Sequence, residues 1–178
     1  MVTRALVRRP VPYLAQHLQV VGDLLENSEG LTPAFDGADV VVHLAGANEA
    51  ATARDPERAL TETLVAAHRV AQYAIRARVR RLVMVSTVHV YGAAMTEGAA
   101  ITENTIPSPI STYAIARLAS ENILLAAAEK DTEVVVLRLT NSIGAPVAPS
   151  VNRWTLLAND LCRQAALTGR VELQPHGC

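Results

Sequence analysis

The chain has 178 residues, half of them hydrophobic and 19% charged, enough for one domain with a buried core. Its 16 basic and 17 acidic side chains nearly cancel, and the only basic clusters are Arg8-Arg9 and the 78–81 stretch, so a nucleic-acid partner has little support. No apolar run approaches the roughly 18 residues of a membrane span, no charged-then-apolar leader opens the chain, and Cys162 and Cys178 lack metal-ligand spacing; no membrane, no metal and a reducing, cytoplasmic setting are expected.

Short β-rich runs alternate with alanine-rich helical stretches, the pattern of a parallel sheet with helices on its faces. Strands are predicted at 2–7, 18–21, 39–44, 81–86 and 133–139. Continuous runs such as Val40-Val41-Val42 and Val134-Val135-Val136 suit strands buried on both sides. Long helices are predicted at 56–77, 111–129 and 153–168. Asp55-Pro56 is a helix-start signal, and Ser111 is placed to cap the second helix. Between strands, Pro107-Ser108-Pro109 makes a stiff lead into that helix. Repeats and low-complexity linkers are missing, so residues 1–178 read as a single domain.

Two segments concentrate the chemistry. Ser86-Thr87-Val88-His89-Val90-Tyr91-Gly92 puts hydroxyls at the end of a buried strand, and Tyr113-Ala114-Ile115-Ala116-Arg117 puts a tyrosine and a cation four apart on a helix. Positions i and i+4 share a helical face. A phenol beside a fixed cation suits proton transfer at a carbinol or carbonyl carbon. Taken alone, Ser86 and Thr87 also read as hydroxyls capping a strand.

With their surroundings these segments resemble the extended short-chain dehydrogenase/reductase family, the NAD-dependent nucleotide-sugar epimerases and dehydratases, over nearly the whole chain. The resemblance implies a Rossmann-like, doubly wound parallel sheet of order 3-2-1-4-5-6. It also implies an opening strand and a glycine-rich turn for the dinucleotide pyrophosphate, yet no G-x-x-G-x-x-G occurs and Met1 to Pro10 resembles the family's second strand. The chain is therefore expected to be a partial dinucleotide-binding domain, an internal piece of a longer enzyme with most of the substrate-binding part beyond Cys178. Without the first strand, the unpaired edges of the second and fourth would be costly and prone to association, with a homo-oligomer among the expected partners; either the two close up directly, or another chain supplies the strand, or the fragment is unstable.

By the same resemblance, Thr87 is the catalytic hydroxyl that holds the reacting oxygen, with Ser86 supporting it near the nicotinamide, and Tyr113 is the acid/base. Arg117 stands where the family has the lysine that binds the nicotinamide ribose and assists the tyrosine. Arginine keeps the charge but is longer, planar and not readily deprotonated. Thr63 falls where the family has a supporting asparagine. Arg8, just past the second strand, would meet a ribose 2′-phosphate and favours NADP over NAD, although Arg8-Arg9 also reads as a solvated basic turn. Asp23 and Leu24 match the adenine-contacting pair, though Asp after a strand is common turn chemistry. Leu44, Ala45 and Gly46 match the segment lining the cofactor's ribose and phosphates, where small residues let the backbone approach a ligand. His43 reads as a packed strand-end residue. Asn141, after the last strand, would reach the substrate's phosphates. The family's dehydratases carry Asp-Glu after the threonine; Val88-His89 here disfavours dehydration. The expected activity is NAD(P)-dependent hydride transfer on a nucleotide-sugar-like molecule. The rival expectation is a non-catalytic nucleotide-binding or interaction module, favoured by the missing glycine turn, Arg117 and Thr63.

Overall fold

The computed structural model describes residues 2–26, 29–128, 131–146, 151, 154 and 156–173. It divides into two compact units, 1–139 and 140–178. The first contains β1 (Arg4–Val7), β2 (Leu18–Val21), α1 (Thr32–Phe35), β3 (Val40–His43), α2 (Glu49–Arg54), α3 (Pro56–Arg76), β4 (Arg81–Thr87), α4 (Thr112–Ala126) and β5 (Glu133–Leu139); the second contains α5 (Leu157–Thr168). The five predicted strands are all present, with ends displaced by no more than two residues. The third helix begins at Leu157 rather than 153. The short helices α1 and α2, too brief for a periodic signal, were not foreseen.

The helix signals act as their chemistry requires. Asp55 accepts a 3.1 Å bond from the Arg58 amide with Pro56 in the first turn, and Ser111 accepts a 3.2 Å bond from the Ala114 amide. At the far end of α3 the chain turns through Arg78 at φ 52, and the Val79 amide bonds back to the Ala74 carbonyl at 2.9 Å. A non-glycine residue thus takes the left-handed position that closes the helix.

Every strand pair is parallel, as a Rossmann-like α/β fold requires. β1 pairs with β2 from Arg4↔Leu18 to Val7↔Val21; β4 pairs with β3 from Val40↔Arg81 to His43↔Met84 and with β5 from Arg81↔Glu133 to Thr87↔Leu139. The pairing forms two sheets, β1-β2 and β3-β4-β5. The break falls where the expected order would insert the first strand. β1 and β3 do not close up, and each keeps an edge unpaired among the described residues. Both sheets nevertheless pack on one core, since Leu6 of β1 and Val41 of β3 lie against the same cluster of Leu31, Phe35, Val70, Tyr73, Leu82 and Leu124.

α3 covers that core with buried Ala59, Ala66, Ala67, Ala71 and Ala74, whose small side chains let it approach α4 and the sheet closely. The Phe35 and Tyr73 rings stack at 5.1 Å. On the other face, Val40 and Val42 are 43% and 54% exposed, and Leu137 and Leu139 are exposed as well. The run Val40-Val41-Val42, which suggests a strand buried on both faces, is therefore buried on one, while Val134, Val135 and Val136 are all half-buried. α3 and α4 shield only the side carrying Leu82 and Met84.

After β4 the chain enters a 3-10 segment, Val88–Ala94, broken at Gly92 with φ 41. A Cβ there would lie 2.2 Å from the Ser108 carbonyl oxygen, because the proline loop docks here: the Ser108 amide bonds to the Val90 carbonyl at 3.0 Å and the Ala93 amide to the Ser108 carbonyl at 2.9 Å. This clamp fixes the path from Thr87 to Tyr113. Gly92→Ala is expected to destabilise the protein by roughly 2–3 kcal/mol through backbone strain and the clash. The urea midpoint checks it, and an unchanged midpoint would show that the clamp yields at no cost.

Candidate active site

In parallel pairing β3, β4 and β5 end on the same side, and that edge carries His43, Thr87 and Leu139. α4 packs on β4 and on the 3-10 segment, and Tyr113, Arg117 and Glu121 follow one another four apart along it. Tyr113 is half-buried and Arg117 is 8% exposed. The Arg117 guanidinium lies 5.5 Å from the Tyr113 ring centroid, so the helix brings the predicted pair together.

Glu121 was not anticipated. It is fully buried, accepts a short hydrogen bond from the Ser86 hydroxyl, and forms an ion pair with Arg138 of β5 at 2.7 Å. Arg138 also donates to the Tyr91 hydroxyl at 3.0 Å, and Tyr91 donates to the Thr102 carbonyl at 3.2 Å. Hydrogen bonding to Glu121 raises Arg138 above the ordinary arginine range. The spacing 113, 117, 121 is visible in the sequence, but pairing a helix carboxylate with an arginine in an otherwise apolar strand requires the fold.

Thr87 is buried and accepts a 3.2 Å bond from the His89 amide, so its hydroxyl oxygen also caps the 3-10 segment. Both the capping reading and the site reading place it at the strand end. Ser86 points to Glu121, beneath that end. Thr63 is buried and its hydroxyl accepts from the Ala47 amide at 3.1 Å, tying α3 to the loop after β3. In that loop Leu44, Ala45 and Gly46 are exposed. Gly46 has φ 139, and a Cβ added there would sit 3.2 Å from Arg117 Nη1. The loop backbone therefore lies against the guanidinium.

His43 is buried at the end of β3, as expected for a packed residue, and its Nε2 has no partner among the described residues. Burial, and secondarily the Arg117 charge, lower its pKa from 6.5 to about 4. Arg8 is exposed; Asp23 accepts from the Leu25 amide at 2.8 Å, the local turn chemistry its type favours; Leu24 packs on the core while its carbonyl accepts from Arg69 at 2.6 Å. Asn141 is exposed and belongs to the second unit. No cluster of metal-ligating side chains occurs among the described residues, and none of their helices is long and apolar enough to cross a membrane.

The profile of the NAD dependent epimerase/dehydratase family matches residues 4–169. The chain belongs to this family. Among solved structures, MoeE5 in complex with UDP-glucose and NAD is 29% identical, with a TM-score of 0.72 over 94% of this chain and 53% of that one. A short-chain dehydrogenase/reductase superfamily protein from Agrobacterium tumefaciens with bound NAD is also 29% identical, with a TM-score of 0.65 over 76% of this chain and 40% of that one. RMD from Pseudomonas aeruginosa, complexed with NADPH, is 29% identical, with a TM-score of 0.59 over 72% and 44%. The family member thus spans about half the length of MoeE5. No curated protein matches it.

Two outcomes follow from this geometry. Arg138→Met strands the buried Glu121 carboxylate and is expected to cost about 3–5 kcal/mol, while Glu121→Leu with Arg138→Met recovers most of the loss; chemical denaturation of the three proteins checks the cycle, and an undiminished loss in the double variant would refute it. His43 takes up a proton more readily unfolded than folded, so stability should fall as pH drops from 6.5 towards 4, by roughly 3 kcal/mol at most. The imidazole resonances of His43 should titrate near the lower value, and titration near 6.5 would show that the ring is not desolvated.

Proposed function

We propose that this family member takes part in NAD(P)-dependent hydride transfer at a carbinol or carbonyl carbon of a nucleotide sugar, as an epimerase or reductase. The observation that carries the reading is the α4 face, on which Tyr113 and Arg117 stand together while Glu121 ties the same helix to β4 beneath Thr87. MoeE5, with UDP-glucose and NAD, supports both the nucleotide-sugar class and the cofactor class. RMD with NADPH keeps both dinucleotides open, and Arg8, exposed just past β1, favours NADP.

The residues present fit the nicotinamide-ribose end of such a cofactor. The open backbone at Gly46 and the N–H groups of Arg117 lie side by side at the strand ends, whereas the sequence has no glycine-rich pyrophosphate turn. When bound, the nicotinamide ring accepts or returns the hydride. Tyr113 moves the proton at the substrate oxygen, and the Thr87 hydroxyl holds that oxygen against the tyrosine. Arg117 fixes the orientation of the ring above it. Thr63 holds the loop that the ribose approaches, and Asn141 serves the substrate's phosphates.

A second reading, a non-catalytic nucleotide-binding or interaction module, draws on the missing glycine turn and on Arg117 in place of the family's lysine. Turnover separates the two. The chain is expected to convert a UDP-sugar to its epimer with NAD(P), or to oxidise NAD(P)H when a UDP-keto-sugar is supplied, and Tyr113→Phe, which keeps the ring, is expected to lower the rate by about a hundredfold at an unchanged thermal midpoint. No turnover by the unaltered chain would favour the module, and full turnover by a stable Tyr113→Phe protein would remove Tyr113 as the acid/base.

A further inference from the structure

The function proposed above uses nothing at the start of β4, where Arg76, Arg78, Arg80 and Arg81 fall close together in the chain. Arg81 is matched, its guanidinium lying 2.7 Å from the Glu133 carboxylate. Arg76, Arg78 and Arg80 are exposed, and their side chains make no ion pair or hydrogen bond among the described residues. Against Glu133 and the exposed Asp39 and Asp131, which precede β3 and β5, the arginines still leave a positive excess.

The backbone that carries these side chains is fixed. Val79 is fully buried between exposed Arg78 and Arg80, its amide bonds to the Ala74 carbonyl at 2.9 Å, and the Glu133 amide bonds to the Arg80 carbonyl at 3.0 Å. Arg78, at φ 52, is the one non-glycine residue with a positive φ among the described residues. Glycine takes such a helix-closing position without strain. A long cation held there at a conformational cost points to a use for its side chain. Compensation of the carbonyl end of α3 accounts for Arg76, in its last turn, but not for Arg80, which leads into β4.

The other end of α3 has the opposite sign. There a hollow of about 340 Å³ is lined by Leu25, Asp55, Glu57, Arg58, Thr61 and Glu62. Asp55 caps the helix and Arg58 pairs with Glu62 at 2.7 Å, while Glu57 has no ion pair among the described residues. Three carboxylates against one guanidinium leave the hollow negative. Leu25 offers an apolar wall to the methylene stem of an entering arginine. The two ends cannot meet within one chain, because α3 has 21 residues and a helix of that length spans about 30 Å.

We propose that the Arg78–Arg80 turn of one copy docks into the acidic hollow of a second copy, joining chains head to tail. The two surfaces differ, so every docked pair keeps one free turn and one free hollow, and growth is open-ended. Exposed ion pairs are weak and screened, so the contact is reversible and salt-dependent. It stands independently of the hydride-transfer reading.

Sedimentation velocity of the intact chain over a concentration series, at low and at high ionic strength, tests it. Mass is expected to grow with concentration at low salt, with association weakened by about tenfold or more at high salt. Arg78→Glu with Arg80→Glu is expected to stay monomeric at low salt, and so is Glu57→Arg. Mixed together they should form a 1:1 pair and nothing larger, since one keeps the hollow and the other keeps the turn. Thermal midpoints establish that each variant is folded. Arg78→Gly with Arg80→Gln, which removes the same charges together with the strain, should also be monomeric at a midpoint no lower than that of the unaltered chain. A monomer at every concentration in low salt, or a mixture that fails to pair, would overturn the proposal. So would association that survives salt and charge reversal, which would assign self-contact to the exposed valine and leucine face of the sheet instead.

Discussion

The arrangement of the site depends on one buried carboxylate. Glu121 of α4 holds the Ser86 hydroxyl of β4 and the Arg138 guanidinium of β5, and Arg138 extends the network to Tyr91 and through it to the Thr102 carbonyl. A charge removed from water tolerates few geometries, because each lost partner leaves a desolvated group behind. The network therefore sets the rotation of α4 about its axis and its height above the strands. Tyr113 and Arg117, on the same helical face, are carried to the strand ends by that constraint rather than by contacts of their own.

α4 thus carries two buried charges in opposite situations. Glu121 is paired with Arg138 and Ser86 and holds the scaffold, while Arg117 one turn earlier lies by the Tyr113 ring and the Gly46 backbone, its Nε and Nη1 without a hydrogen-bond partner among the described residues. The contrast follows from position. Glu121 sits deep between strands that can supply an arginine and a serine, whereas Arg117 lies where β3 gives way to its exposed loop. Buried unpaired groups in an otherwise satisfied structure concentrate where function has a use for them.

Around this helix, packing obeys simple size rules. The alanines of α3 permit close approach, and Gly92 lets the proline loop press on the 3-10 segment, so the path from Thr87 to the start of α4 is pinned at Val90 and Ala93. The parallel strands line up their ends, and in an open parallel α/β sheet that edge is where ligands bind. The sheet is interrupted between β1 and β3, and the face bearing Val40, Val42, Leu137 and Leu139 is exposed. The apolar composition of that face matches the doubly wound arrangement of the family to which the chain belongs.

Much of this was legible in the residues. Strand positions followed from β-branched runs, the starts of α3 and α4 from Asp55-Pro56 and Ser111, and the pairing of Tyr113 with Arg117 from helical spacing, because each is local and set by a few neighbouring side chains. The absence of a glycine-rich turn was equally visible, and with it the position of the break between sheets. Other features were decided by tertiary structure alone. Nothing in the sequence couples Glu121 to Arg138, 17 residues away on another element, or to Ser86, 35 residues away. Nor does it show that Arg117 lies unpaired against Gly46, or that the valine strands keep one face exposed. Those outcomes depend on which surfaces the packed helices remove from water, and for a charged side chain that is a property of the assembled fold rather than of spacing along the chain.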